Sequence, residues 1–214
     1  MIFPGIIRQL PMQALVSGAG LRTSPRKLAL LLLIGLIAAA GAAEFAGGLY
    51  IKGKAEMAQL LLARAWTRTL EGEAAAKPWP WADVWPVAKV TAPRLKKSAI
   101  VLSGASGQAM AFGPGLMAGA PAPGEPGLAI IAAHRDTHFR FLKDVVAGDR
   151  IDVVNEMGKQ TSFVVTGTKI VRADQSGLVF DGDEPRLALV TCWPFEATRR
   201  GDLRFVVFGD IENG

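Results

Sequence analysis

The sequence predicts an all-β domain, a closed barrel or a sandwich, preceded by an apolar N-terminal helix. Three observations carry that prediction. From Pro86 onward the chain breaks into eight short β-type runs set off by Gly, Pro and Asp, a spacing typical of antiparallel sheets that close or stack. Half of the 214 residues are hydrophobic, so a sizeable core remains after a membrane segment is set aside. The net charge of +5 is also unevenly placed: residues 1–54 carry Arg8, Arg22, Arg26, Lys27, Lys52 and Lys54 against Glu44 alone, and the remainder is neutral. The excess charge belongs to the N-terminal end, so no basic face for a phosphate backbone and no nucleic-acid partner is implied.

In chain order, residues 1–27 are expected as a cytoplasmic tail and residues 28–51 as a transmembrane anchor. The uncharged stretch 28–43 falls short of the ~20 residues that span a bilayer, but reaches that length by running past Glu44 to Tyr50 or Ile51. Arg22, Arg26 and Lys27 place the N-terminus inside by the positive-inside rule. A cleaved signal peptide is the rival, and the 27 residues before Leu28 would make its basic region unusually long. Residues 52–86 are expected as a stalk helix, with Met57, Leu60, Leu61, Ala65 and Leu70 at helical spacing, followed by a Pro/Trp-rich linker. Pro78, Pro80 and Pro86 exclude a helix there and favour an extended segment. Trp79, Trp81 and Trp85 are expected to pack onto the domain, because exposed indoles in that number are costly.

Residues 87–214 form the β domain, with strands expected at 87–90, 99–102, 108–112, 128–133, 150–154, 161–171, 187–191 and 203–211. Residues 139–145 suit a helical turn, and the Gly/Pro-rich stretch 113–127 reads as a loop.

Three side chains stand at or near the edges of these strands. Cys192 is the only cysteine and closes the apolar run 187–191; His134 follows 128–133; Arg204 interrupts the apolar strand 203–211. A thiol becomes a nucleophile once ionised, and an imidazole can share or remove its proton. Attack on a peptide carbonyl leaves negative charge on oxygen, which a guanidinium can hold. Each residue also has a plainer reading. A free cysteine is commonly a buried, inert hydrophobe. His138 is an alternative imidazole, and Arg199 and Arg200 compete with Arg204 from a polar loop. A charge in an apolar strand needs an anionic or carbonyl partner, which favours Arg204. A metal site on His134, His138 and Cys192 lacks the helical HExxH context, so no metal and no cofactor is expected. The surroundings of Cys192 match neither papain-like proteases nor L,D-transpeptidases.

In combination, Ala188-Leu189-Val190-Thr191-Cys192, His134 within Ile130-Ile131-Ala132-Ala133-His134-Arg135-Asp136, and Leu203-Arg204-Phe205-Val206-Val207 resemble the sortases. Ala188 and Ala133 depart from the Thr and Gly common in that family. The phrases HRDTHFRFL, TCWPF and KPWPWADVWPV are most similar to the proteobacterial sortases of class GN. The resemblance implies an eight-stranded β-barrel and a membrane-anchored cysteine transpeptidase. It implies that Cys192 attacks the Thr–Gly bond of an LPxTG-like signal on a secreted protein, that His134 protonates the leaving amine, and that Arg204 holds the oxyanion or positions the peptide. An amine acceptor then resolves the thioester, with the domain on the periplasmic side of the inner membrane. Water in place of the amine would make the enzyme a plain protease. The alternative outside enzymes is an anchored β-domain that binds a partner while its cysteine stays inert.

Overall fold

The computed structural model describes residues 24–107, 109–199 and 201–212. Residues 1–23 of the expected tail, Gln108 at the start of an expected strand and Arg200 therefore lie outside the described residues. The chain divides into two compact units at Tyr50/Ile51.

Helix α1 (Pro25–Leu70) begins in the first unit. Pro at the first helical position suits the fixed φ of its ring, and Ser24 before it is a good cap; the Lys27 N–H donates to Ser24 Oγ at 3.4 Å. Among the described residues, α1 is the one helix long and apolar enough to cross a membrane, with a mean hydropathy of 2.3 over its best window. The expected anchor and stalk are thus parts of a single helix.

In the second unit, the residues of α1 that bury are Ala58, Leu62, Ala65, Trp66 and Thr69. This stripe differs from the expected one. Met57, Leu60 and Leu70 are exposed, because the helix turns its small residues and Trp66 inward. Gln59 Nε2 donates to the Phe112 carbonyl at 2.8 Å. The Pro/Trp segment forms turns instead of an extended strand, with the Ala82 N–H bonded to Trp79 O at 3.0 Å. Trp79 meets Phe112 edge-on at 5.0 Å and Trp85 is half-buried, as packing predicts. Trp81 departs from the expectation at 81% exposure.

Eight strands close a barrel: β1 (Pro86–Ala92), β2 (Lys97–Ser103), β3 (Gly115–Leu116), β4 (Gly127–Ala132), β5 (Arg150–Asn155), β6 (Gln160–Arg172), β7 (Pro185–Cys192) and β8 (Leu203–Ile211). Their order around the barrel is β1-β2-β3-β4-β7-β8-β6-β5. Pairs β2/β3 and β4/β7 are parallel and the others antiparallel. The third expected strand is a correction. Residues Ala109–Ala111 form a 3-10 turn, and the strand lies in the expected loop as the two-residue Gly115–Leu116. A Cβ on Gly115 would meet the Gly104 carbonyl oxygen at 2.1 Å, so only glycine lets this strand approach so closely. The helical turn expected at 139–145 is present as the 3-10 segment Arg140–Asp144.

β4 and β7 are buried on both faces, which is why each reads as a continuous apolar run. Ala129, Ile131, Leu187 and Leu189 enter the barrel core with Phe139, Phe163 and Val207. Their alternates Leu128, Ile130, Ala188 and Val190 face outward and form a second cluster with Val171 and Val206, under Leu178 and Phe180. Val165 lies in the first cluster and Val171 in the second. The bulge between Val165 and Gly167 explains the change, since one extra residue inverts the alternation that follows. Elsewhere on the barrel, Arg94 grips the buried Asp149. Its Nε donates to Asp149 Oδ1 and its Nη2 donates to Oδ2 at 2.7 Å and to the Asp144 carbonyl at 2.6 Å.

Candidate active site

The outer face of β4, β7 and β8 determines where the three candidate side chains fall. Cys192 is the register partner of Arg204, one step past Val190↔Val206 on the same face. On the other side of β7, the parallel ladder to β4 ends at Ala132↔Val190. Cys192 lies two residues beyond Val190 at the end of β7, and His134 lies two residues beyond Ala132, past the end of β4. Strand alternation keeps every second residue on one face. Val190, Cys192, Val206 and Arg204 therefore continue the outer row that contains Ala188 and Ile130. The apolar outer cluster runs out into a thiol, an imidazole and a guanidinium.

All three are half-buried, and Cys192 is a free thiol. Arg204 has the carbonyl partners that its place in an apolar strand requires: its Nη1 donates to Gly201 O at 2.7 Å and to Leu203 O at 2.9 Å. Beneath the site, the buried Thr191 donates its hydroxyl to the Ala133 carbonyl at 2.8 Å, and the Ala133 N–H donates to Val190 O at 3.1 Å. These bonds carry the β4–β7 connection past the end of the ladder, up to the residue before His134. Trp193, Phe195 and Phe205 pack as an aromatic cluster beside Cys192, with ring centroids 5.3–5.7 Å apart.

His138 is half-buried. Burial pushes its imidazole below the ordinary value, and the nearby His134 lowers it further. It borders a cavity of about 380 Å³ with Lys97, Thr137, Arg140 and Lys143 among its walls. Neither Cys192 nor Arg204 lines that cavity. Arg199 is exposed. Among the described residues, no three His, Cys, Asp or Glu side chains are grouped to hold a metal.

Two residues of this region were not singled out from the sequence. Thr191 is the one hydroxyl in the run Leu187-Ala188-Leu189-Val190-Thr191, and a buried hydroxyl needs an acceptor. Arg135 follows His134 directly and bonds to the carbonyls of Ala197 and Arg199. Its acceptors are backbone carbonyls far along the chain, for which the sequence carries no signal.

The sortase domain family matches residues 90–212, more than half of the chain. Sortase D of Bacillus subtilis (strain 168) is 30% identical over 88 residues, a match spanning 41% of this chain and 44% of that relative. Among solved structures, sortase A from Corynebacterium diphtheriae superposes with a TM-score of 0.56 at 18% identity, covering 74% of this chain and 84% of that one. The lid mutant of Streptococcus agalactiae sortase C1 superposes with a TM-score of 0.55 at 23% identity, covering 73% and 87%.

Proposed function

The chain belongs to the sortase family, and on that premise we propose that it is a membrane-anchored cysteine transpeptidase acting on LPxTG-like sorting signals. The single observation that carries this reading is the facing of Cys192 and Arg204 across the β7/β8 ladder, with His134 two residues past the pair Ala132↔Val190 that ends the β4/β7 ladder. Cys192 passes its proton to His134 as its sulfur attacks the Thr carbonyl of the signal, and a C–S bond forms. Arg204 holds the charge that gathers on the oxygen. The Thr–Gly C–N bond then breaks, and His134 supplies the proton that lets the glycine amine leave. An incoming amine, losing its proton to His134, attacks the thioester and releases the thiol.

Helix α1 supplies the anchor in this reading, and the basic residues before Leu28 put the N-terminus in the cytoplasm. The resemblance of HRDTHFRFL, TCWPF and KPWPWADVWPV to the proteobacterial class GN sortases supports a barrel on the periplasmic side of an inner membrane.

The test uses the full chain in detergent micelles. Incubation with an LPxTG-like peptide should give a thioester adduct on Cys192 by mass spectrometry, and an added amine should convert it to ligated product. Cys192→Ala should form neither. Absence of any adduct with the unsubstituted chain, or equal turnover by Cys192→Ala, overturns the reading.

A further inference from the structure

The segment joining Cys192 to Arg204 is held along its length by two guanidinium groups. Arg135 Nη2 donates to the Ala197 carbonyl and, at 2.8 Å, to the Arg199 carbonyl. Arg204 Nη1 takes the Gly201 carbonyl at 2.7 Å and the Leu203 carbonyl at 2.9 Å. The bonded residues are 197, 199, 201 and 203, every second position through the second half of the loop. Arg135 belongs to the segment that carries His134, and Arg204 faces Cys192. The two arginines therefore grip one stretch of chain from opposite sides of the site.

From this arrangement we propose that Arg135 is a positioning residue: through the loop 193–202 it fixes where the Arg204 guanidinium stands relative to Cys192 and His134. The inference rests on the transpeptidase reading and adds a part to it. Arg204 is bonded to carbonyls of the loop it terminates, so its guanidinium moves when that loop moves. Arg135 is the side chain that ties the loop to the end of β4. An arginine is suited to this work because its planar fork offers several donors in fixed geometry, which a lysine ammonium does not reproduce. The arrangement is also not the one that stability alone would favour. Among the described residues, the hydrogen bonds of Arg135 go to backbone carbonyls and not to a carboxylate. Misplacing a group at a reacting centre by ~1 Å is enough to slow a reaction about 100-fold.

Single-turnover acylation of Cys192 by the sorting peptide tests this in the full chain. Arg135→Ala should acylate about 100-fold more slowly, and Arg135→Lys should not restore the rate. Alkylation of the thiol by iodoacetamide and the melting temperature should stay close to the unsubstituted values. In an Arg204→Ala background, Arg135→Ala should change the rate by less than about threefold, because the group it positions is gone. Amide exchange across residues 193–202 should rise in Arg135→Ala while β7 and β8 keep their protection. Additive losses in the double variant, a loss that alkylation and melting share in equal measure, full activity of Arg135→Lys, or unchanged exchange in the loop would each overturn the positioning role. An unsubstituted chain that forms no adduct would instead remove the transpeptidase reading, and this role with it.

Discussion

Arg94 and Arg135 both fasten a loop to the barrel, and they do so with different acceptors. Arg94 meets a carboxylate: Asp149 receives two of its bonds, and the Asp144 carbonyl receives another. The Val146 N–H also donates to Asp149 Oδ2 at 2.9 Å, so charge and hydrogen-bonding capacity are both matched. Arg135 meets the carbonyls of Ala197 and Arg199. The first arrangement suits a joint that must not open. The second, among the described residues, holds its loop through neutral carbonyl acceptors. One fastening matches charge with charge, and the other relies on backbone dipoles.

The largest effect expected from this contrast is on stability. Asp149→Asn removes an acceptor of charge-assisted bonds from a buried position and should cost about 2 kcal/mol at neutral pH, read as a shifted urea midpoint with an unchanged slope. Acylation per folded molecule should be untouched; a loss of acylation larger than the loss of folded protein would break the division between the two clamps. The hydrogen bonds from Arg94 hold the Asp149 carboxyl below its ordinary value, and the Val146 N–H assists. Its folded value is below its unfolded one. The contribution is therefore complete above the ordinary carboxylate pKa of about 3.9 and is lost as pH falls through the lowered value. Asp149→Asn should lack that acid-range decline.

A smaller effect is expected at Thr191, whose bond to the Ala133 carbonyl is buried and carries no charge. Thr191→Val keeps the shape and deletes the donor, and should cost about 1 kcal/mol by urea denaturation. A cost equal to that of Asp149→Asn would show that burial, and not charge, separates the strong fastenings from the weak. The smallest effect is at His138, whose imidazole is lowered by burial and then by His134. The folded chain takes up that proton less readily than the unfolded one. Stability is thus complete above the ordinary histidine pKa of about 6.5 and declines as pH falls from there toward the lowered value. His138→Gln should flatten this part of the curve of urea midpoint against pH, and an unchanged slope would contradict the assignment.

Much of the barrel was legible because burial leaves a mark on composition. β4 and β7 are covered on both faces, so their runs of Leu, Ile, Ala and Val stand out, and each ends at a polar residue, His134 and Cys192. β3 was not legible. Two residues, Gly115 and Leu116, cannot show a period, and what defines them is the close approach of another backbone. The run Ala109-Met110-Ala111-Phe112 looked like a strand because a short apolar stretch has the same composition in a turn. Of the expected stripe on α1, Ala65 is buried as read, while Ala58, which carries little hydrophobic signal, and Leu62 and Trp66 bury in place of Met57, Leu60 and Leu70. In the candidate site, Cys192, His134 and Arg204 could be named from residue type and place along a strand. Arg135 could not, because its partners lie 62 and 64 residues further on and are backbone atoms, which no side-chain pattern reports.

The alternation along β7 has a consequence for newly made copies. Thr191 faces the interior while Cys192, the next residue, faces the cleft. A slip of one position against β4 would exchange them, hiding sulfur among hydrocarbon and leaving a harmless hydroxyl at the mouth. Such a mispaired copy would be chemically silent. The strand's alignment thus decides on which face of the sheet the molecule's single thiol emerges.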